Sequence, residues 1–201
     1  MVRSLPTAVR ERLAGLRQLL RDEEVRSISR RYFISNGFDG TLTSIGVGVG
    51  SYLSGVADGA TVFAVGLGAA VGLGTSGVWS VWEIERAETQ ADILRLERAM
   101  LTDLDDTAIQ RQKANARLVH AVMSGIGPIL GVVLPLVPFL FEGRGLSLAG
   151  ATVGGILIGV ALLFAFGAYL STISRQRWYV AGLRMGLAGL VVAAVNYLLP
   201  G

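Results

Sequence analysis

Cysteine is absent from the 201 residues, which excludes a disulfide framework and any thiolate metal site. Histidine occurs once, as His120, so no histidine-rich metal motif can be drawn. No nucleophile–histidine–acid set stands out either, which argues against hydrolase chemistry, and no catalytic residue is assigned. Charge is scarce: Asp, Glu, Lys and Arg make up 16% of the chain, against about 25% in soluble domains. The stretch from Ser4 to Arg31 lacks the apolar core and cleavage site of a signal peptide, and none is expected. Gly46, Gly48 and Gly50 have neither the spacing nor the βαβ surroundings of a dinucleotide fingerprint.

What fills the chain is apolar and small. Hydrophobic residues reach 52%, mean hydropathy is +0.55, and the 27 glycines are about twice the usual share. That combination points to closely packed membrane helices. The pI of 9.7 and the net charge of +3 do not indicate nucleic acid, because the arginines flank apolar runs and form no continuous patch. A cytoplasmic membrane face explains them better.

The expected fold is all-α, a polytopic membrane protein with five transmembrane helices. Residues 1–31 carry eight arginines, with Val9, Leu13, Leu16 and Leu20 at helical spacing, and read as a cytoplasmic amphipathic segment. Residues 32–82 form a first transmembrane hairpin. Its first span runs from Tyr32 to Ala57 and its second from Ala60 to Trp82, with Asp58-Gly59 as the turn. Residues 83–117 are a charged cytoplasmic helical extension, with a break expected near Thr102–Thr107. Residues 118–200 hold three more spans. The third, Leu118–Phe141, carries Pro128, Pro135 and Pro138, which bend a helix and free carbonyls. The fourth lies within Leu146–Ser174 and the fifth runs from Tyr179 to Leu199, with Glu142-Gly-Arg-Gly145 as a turn between the third and fourth.

The N-terminal segment, residues 83–118 and residues 171–178 hold sixteen of the eighteen basic residues. By the positive-inside rule the N-terminus is therefore cytoplasmic and the C-terminus external or lumenal. The pattern describes an integral, multi-pass membrane protein, in the cell membrane if the source is prokaryotic.

Asp39 is the leading candidate for a site. From Gly40 to Ala57 there are 18 uncharged residues, short of the ~20 that a helix needs to cross ~30 Å of hydrocarbon. A span that reaches back to Tyr32 places this carboxylate at membrane depth, where an acid is a functional-site candidate by default. It could bind a cation, carry a proton or pair with Arg184; the competing reading makes it an interfacial cap of a helix that starts later. Asn36, Thr41, Thr43, Ser44, Asn196 and Tyr197 could add oxygen ligands for a hard cation, and Met185 a thioether, although a methionine in an apolar span is more often packing. Glu85, Glu88 and Asp92 share one helix face, which reads either as an ion-gathering surface or as an ordinary solvated one. Pairs such as Gly68-x-x-x-Gly72 and Gly182-x-x-x-Gly186 mark faces for close helix contact. His120 reads as an interfacial or helix-start residue.

The segments Asn36-Gly-Phe-Asp39-Gly40-Thr-Leu-Thr, Leu134-Pro-Leu-Val-Pro138 and Gly182-Leu-Arg-Met185-Gly-Leu-Ala-Gly189, in this five-span order, resemble the vacuolar iron transporter (VIT) family of membrane proteins. The resemblance covers roughly residues 28–200. It implies a dimerising five-span protomer that exports cytosolic Fe²⁺ or Mn²⁺, by proton exchange, with the cation as substrate and no resident cofactor. It implies that Asp39 is a metal carboxylate, and matches Met185 and Arg184 loosely to the family's fifth-span element. With Glu85 and Glu88 on the cytoplasmic side, the candidate metal residues are Asp39, Met185, Glu85 and Glu88. The expected partners are the lipid bilayer, a second copy of the chain, divalent cations and protons. Against the family pattern, residues 66–79 of the second span hold neither glutamate nor methionine, and the cytoplasmic metal-binding domain is cut to about 36 residues. The chain thus resembles a short, divergent member. The alternative is a non-transporting scaffold that keeps the five-helix fold.

Overall fold

The computed structural model describes residues 21–56, 58–101 and 108–199, with 108–110 by backbone alone. Among these residues five α-helices follow one another: α1 (Glu23–Leu53), α2 (Gly59–Met100), α3 (Ala108–Leu136), α4 (Leu148–Ser174) and α5 (Trp178–Leu198). A 3-10 turn, Val137–Phe141, extends α3. Among the described residues the fold is all-helical, apart from one isolated bridge between Glu142 and Leu146.

Local chemistry sets the helix ends. Asp58 does more than turn the chain: it caps α2, accepting from the Thr61 backbone N–H at 2.8 Å and the Thr61 hydroxyl at 2.9 Å. Those bonds hold its carboxyl below the ordinary value. Ser147 caps α4 by accepting from the Gly150 N–H at 3.1 Å. The turn before it bends through Gly143 and Gly145, whose φ angles of 75° and 105° favour glycine. Pro128 and Pro135 sit inside α3, whereas Pro138 lies at the start of the 3-10 turn and ends the α-helix instead of bending it. The expected break near Thr102–Thr107 and the apolar stripe Val9–Leu20 lie outside the described residues.

Among the described residues four stretches are long and apolar enough to cross a membrane: Gly59–Met100, Arg111–Phe141, Leu148–Ser174 and Trp178–Leu198. Helix α1 is not among them. Asn36, Asp39, Thr41, Thr43, Ser44 and five glycines dilute its apolar content. As expected, α2 runs unbroken from its apolar half into the charged extension.

The chain divides into two compact units, and α1, α2 and α3 each contribute to both. One unit joins the described part of Met1–Tyr32 to Val78–Ser124. The other joins Phe33–Gly77 to the described part of Gly125–Gly201.

In the second unit, glycines bring backbones together. A Cβ on Gly40 would stand 2.5 Å from the Pro128 carbonyl oxygen and 2.7 Å from the Pro128 Cα. Gly127 abuts the Phe33 carbonyl and Gly131 the Gly37 carbonyl. These contacts run in register, so α1 and α3 lie parallel along this seam. The Ser44 hydroxyl donates across it to the Val132 carbonyl at 3.0 Å. Gly66 against Leu136 and Gly74 against Ile129 set α2 antiparallel to α3. Gly182 seats on Phe164 and Gly186 on Val160, which sets α5 antiparallel to α4. Phe139, Val62, Val132 and Leu136 centre one buried cluster, and Ile45, Leu163 and Phe166 another. By contrast, Gly50, Gly68 and Gly72 meet nothing within 4 Å among the described residues.

Candidate functional site

Helix α1 begins at Glu23, so Asp39 lies well inside it and does not cap it. The interfacial-cap reading therefore falls. Asp39 is on the exposed side of the helix, and among the described residues its carboxylate has no hydrogen-bond or ion-pair partner. The pairing with Arg184 is not formed; that arginine is exposed on α5.

The hydroxyls around Asp39 are engaged with backbone. Thr41 donates to the Gly37 carbonyl at 2.7 Å and Thr43 to the Asp39 carbonyl at 2.8 Å. The Asn196 amide donates to the Val192 carbonyl at 2.9 Å and packs 3.5 Å from the position of a Gly46 Cβ. Their oxygens keep lone pairs, but no ring of ligands closes on Asp39. Tyr197 is 69% exposed. Met185 packs among the apolar side chains around Ile45 and Leu163, as a core methionine does.

The carboxylates of the extension are drawn together in the first unit. Glu85, Glu88 and Asp92 line a hollow of about 310 Å³ with His120, Lys113 and Arg31. The side chain of Glu85 is only 14% exposed, and its Oε1 accepts from the Tyr32 hydroxyl at 3.1 Å. His120 is buried and lies well inside α3, so it is not a helix-start residue. Its Nδ1 lies 3.1 Å from Glu85 Oε2, but out of line for a hydrogen bond, so neither ring nitrogen has such a partner. Glu88 is exposed at the rim.

Asp92 belongs to a different arrangement. Lys113 reaches it from α3 with Nζ 2.6 Å from Oδ2, while a contact from Arg95, three residues on, is longer, at 3.8 Å, and more exposed. The Lys113 hydrogen bond, and then its charge, hold the Asp92 carboxyl below its ordinary value of 3.8. A depressed carboxyl stabilises the fold above its unfolded pKa and loses that contribution as pH falls through the folded one. Thermal stability should therefore decline as pH drops below about 4, and less steeply in Asp92→Asn. Melting curves of both proteins between pH 3 and 6 measure this; parallel pH profiles would assign the decline to other groups.

Among the described residues no group of three or more His, Asp or Glu side chains converges to hold a metal ion. Glu85 and His120 are the nearest approach to one, and Glu88 and Asp92 stand further out on the same wall. Tyr32 and His120 were not legible as partners of Glu85. A lone tyrosine and a lone histidine at the edges of apolar runs carry no pattern, and the contacts span 53 and 35 residues of sequence.

Comparison with known proteins decides the family. A sequence profile of the VIT family matches residues 81–200, more than half of the chain. The chain belongs to the VIT family. An uncharacterized protein of Methanocaldococcus jannaschii is 28% identical over 173 residues, covering 84% of this chain and 87% of that protein. This VIT-family chain is an integral, multi-pass membrane protein, with four long apolar helices and membership of a family of membrane transporters.

Proposed function

We propose that the chain moves a divalent cation, Fe²⁺ or Mn²⁺, out of the cytosol in exchange for protons. The observation that carries this reading is Asp39, a carboxylate without a partner among the described residues, on a helix seated against α3 by glycine contacts. An unpaired charge at membrane depth is costly unless it lines a cavity or meets a counter-charge. In this reading the counter-charge is the cargo. Helix α1 is the fifth span: it lies parallel to α3, which a chain alternating across the bilayer requires of its first and third crossings. The basic residues put the N-terminus in the cytoplasm.

A second copy of the chain covers the exposed Asp39 side in this reading. The open glycines Gly50, Gly68 and Gly72 suit such a homodimer, because small residues admit close helix approach. Glu85 and Glu88 gather cations on the cytoplasmic side, and Met185 is the weakest of the proposed ligands because of its apolar packing. A loose ligand set is compatible with transport, since a carried ion must also be released.

A non-transporting scaffold is the second reading, favoured by the lack of any three-residue metal cluster among the described residues. Flux separates the two. Purified protein in liposomes loaded with a metal-sensitive dye should pass Fe²⁺ or Mn²⁺ faster than empty liposomes. Flux equal to that of empty liposomes for both ions would leave the scaffold.

A further inference from the structure

A second hollow, of about 480 Å³, opens between α2 and α3 in the first unit and shares only Thr89 with the acidic hollow. Its wall carries three guanidinium groups, Arg86, Arg111 and Arg117, with the polar side chains of Thr89 and Gln90. Glu97 is the one acid among its described lining residues, against three arginines. The Arg117 guanidinium carbon stands 4.4 Å from the Trp82 ring centroid, a cation–π contact that fixes its orientation. Its Nε is buried without a hydrogen bond. Arg86 is held only loosely, 3.8 Å from Glu83, with its side chain 63% exposed.

The level of this hollow along the helices identifies what it meets. Trp82 closes the uncharged run of α2, and Arg86 follows about one turn later. On α3, Arg117 is the last charge before the uncharged run that begins at Leu118. Trp79 is 71% exposed and Leu118 is 50% exposed, so the surface beside the hollow is apolar. Tryptophan at the end of an apolar run marks the headgroup level of a bilayer. Basic pockets between membrane helices at that level take acidic headgroups, and the guanidinium fork matches phosphate oxygens. A soluble phosphate would not need the apolar flank; a lipid uses both.

We propose that this hollow binds the phosphodiester headgroup of an anionic phospholipid, with Arg86, Arg111 and Arg117 as its charged contacts. The acyl chains then lie along the apolar surface beside Trp79 and Leu118. The site is separate from the acidic hollow and does not depend on what the chain carries.

The test uses the full chain purified in a non-ionic detergent, with bound lipid counted by native mass spectrometry. Phosphatidylglycerol, phosphatidylcholine and inorganic phosphate are titrated separately. Wild type should retain phosphatidylglycerol in preference to phosphatidylcholine and show no matching affinity for inorganic phosphate. Arg86→Gln/Arg111→Gln/Arg117→Gln should lose that preference, by about fivefold for each arginine removed. Arg144→Gln/Arg175→Gln/Arg177→Gln removes the same charge from other loops and should keep it. If the first triple variant does not fold, Arg86→Gln alone serves, with about fivefold weaker retention expected. Equal retention by wild type and the variants of the hollow would overturn the proposal, as would equal loss in the control. Inorganic phosphate binding as tightly as phosphatidylglycerol would replace the lipid site by a small-anion site.

Discussion

Asp39→Asn should reduce Fe²⁺ and Mn²⁺ flux in proteoliposomes by roughly 30-fold or more. The figure follows from removing a charge that faces a desolvated cation, about 2–5 kcal/mol, with tenfold per 1.4 kcal/mol. The substitution keeps the shape of the side chain and removes only its charge. Folding should survive, because the carboxylate has no partner among the described residues and the bond from Thr43 goes to the backbone carbonyl of residue 39. Helix content and elution volume should match wild type while transport is lost. Flux at the wild-type rate in a folded variant would remove Asp39 from the transport path. Since the scaffold reading has no use for this charge, the same variant also bears on that choice.

Gly40→Ala should be strongly destabilising for a change of one methyl group. The new Cβ would meet the Pro128 backbone at 2.5 Å from the oxygen and 2.7 Å from the Cα, distances that real contacts do not reach. Backbone cannot swing aside as a side chain can, so α1 and α3 must part. Parting them also strains the Ser44–Val132 hydrogen bond and the neighbouring contacts of Gly127 and Gly131. Overpacking typically costs about 1–3 kcal/mol, and a clash with backbone on both counts belongs at or above the top of that range. Gly68→Ala is the comparison: nothing lies within 4 Å of its Cβ, and alanine favours a helix by about 1 kcal/mol. Thermal unfolding in detergent should therefore fall for Gly40→Ala and hold or rise for Gly68→Ala. Equal melting temperatures would mean that the seam is not closed in the protein.

The same glycines mark how far the sequence could be read. Their spacing identified faces for close contact but not which of them are used within the chain. Gly182 and Gly186 pack on α4, whereas Gly68 and Gly72 look outward. Spacing is local, while contact depends on the partner helix. The limits of α4 and α5 were more legible, because charge leaves and re-enters the sequence at the ends of their apolar runs, whereas α1 and α3 begin in charged sequence, at Glu23 and Ala108. The continuation of α2 into its charged half followed from helical spacing with no breaker, and the structure has it unbroken to Met100. Asp58 was legible as a turn but not as a cap, since a cap needs the geometry of Thr61. The acidic face of Glu85, Glu88 and Asp92 was visible by periodicity. Its division into a buried carboxylate beside His120 and a lysine-bound one was not, because both partners come from distant sequence.

The hydrogen bonds of the small polar residues carry a consequence for the order of assembly. On α4, Thr152, Ser171, Thr172 and Ser174 each donate to a carbonyl three or four residues back, and Asn196 does so on α5. A helix that satisfies its own donors strands nothing in hydrocarbon and can enter the bilayer before it finds a neighbour. Helix α1 is different: the Ser44 proton goes to α3, and the Asp39 carboxylate meets no donor among the described residues. It should settle only once α3 is in place. Insertion of each segment alone, reported by glycosylation tags at its ends, should be efficient for Leu148–Ser174 and poor for Tyr32–Leu53. Equal efficiency would show that α1 needs no such help.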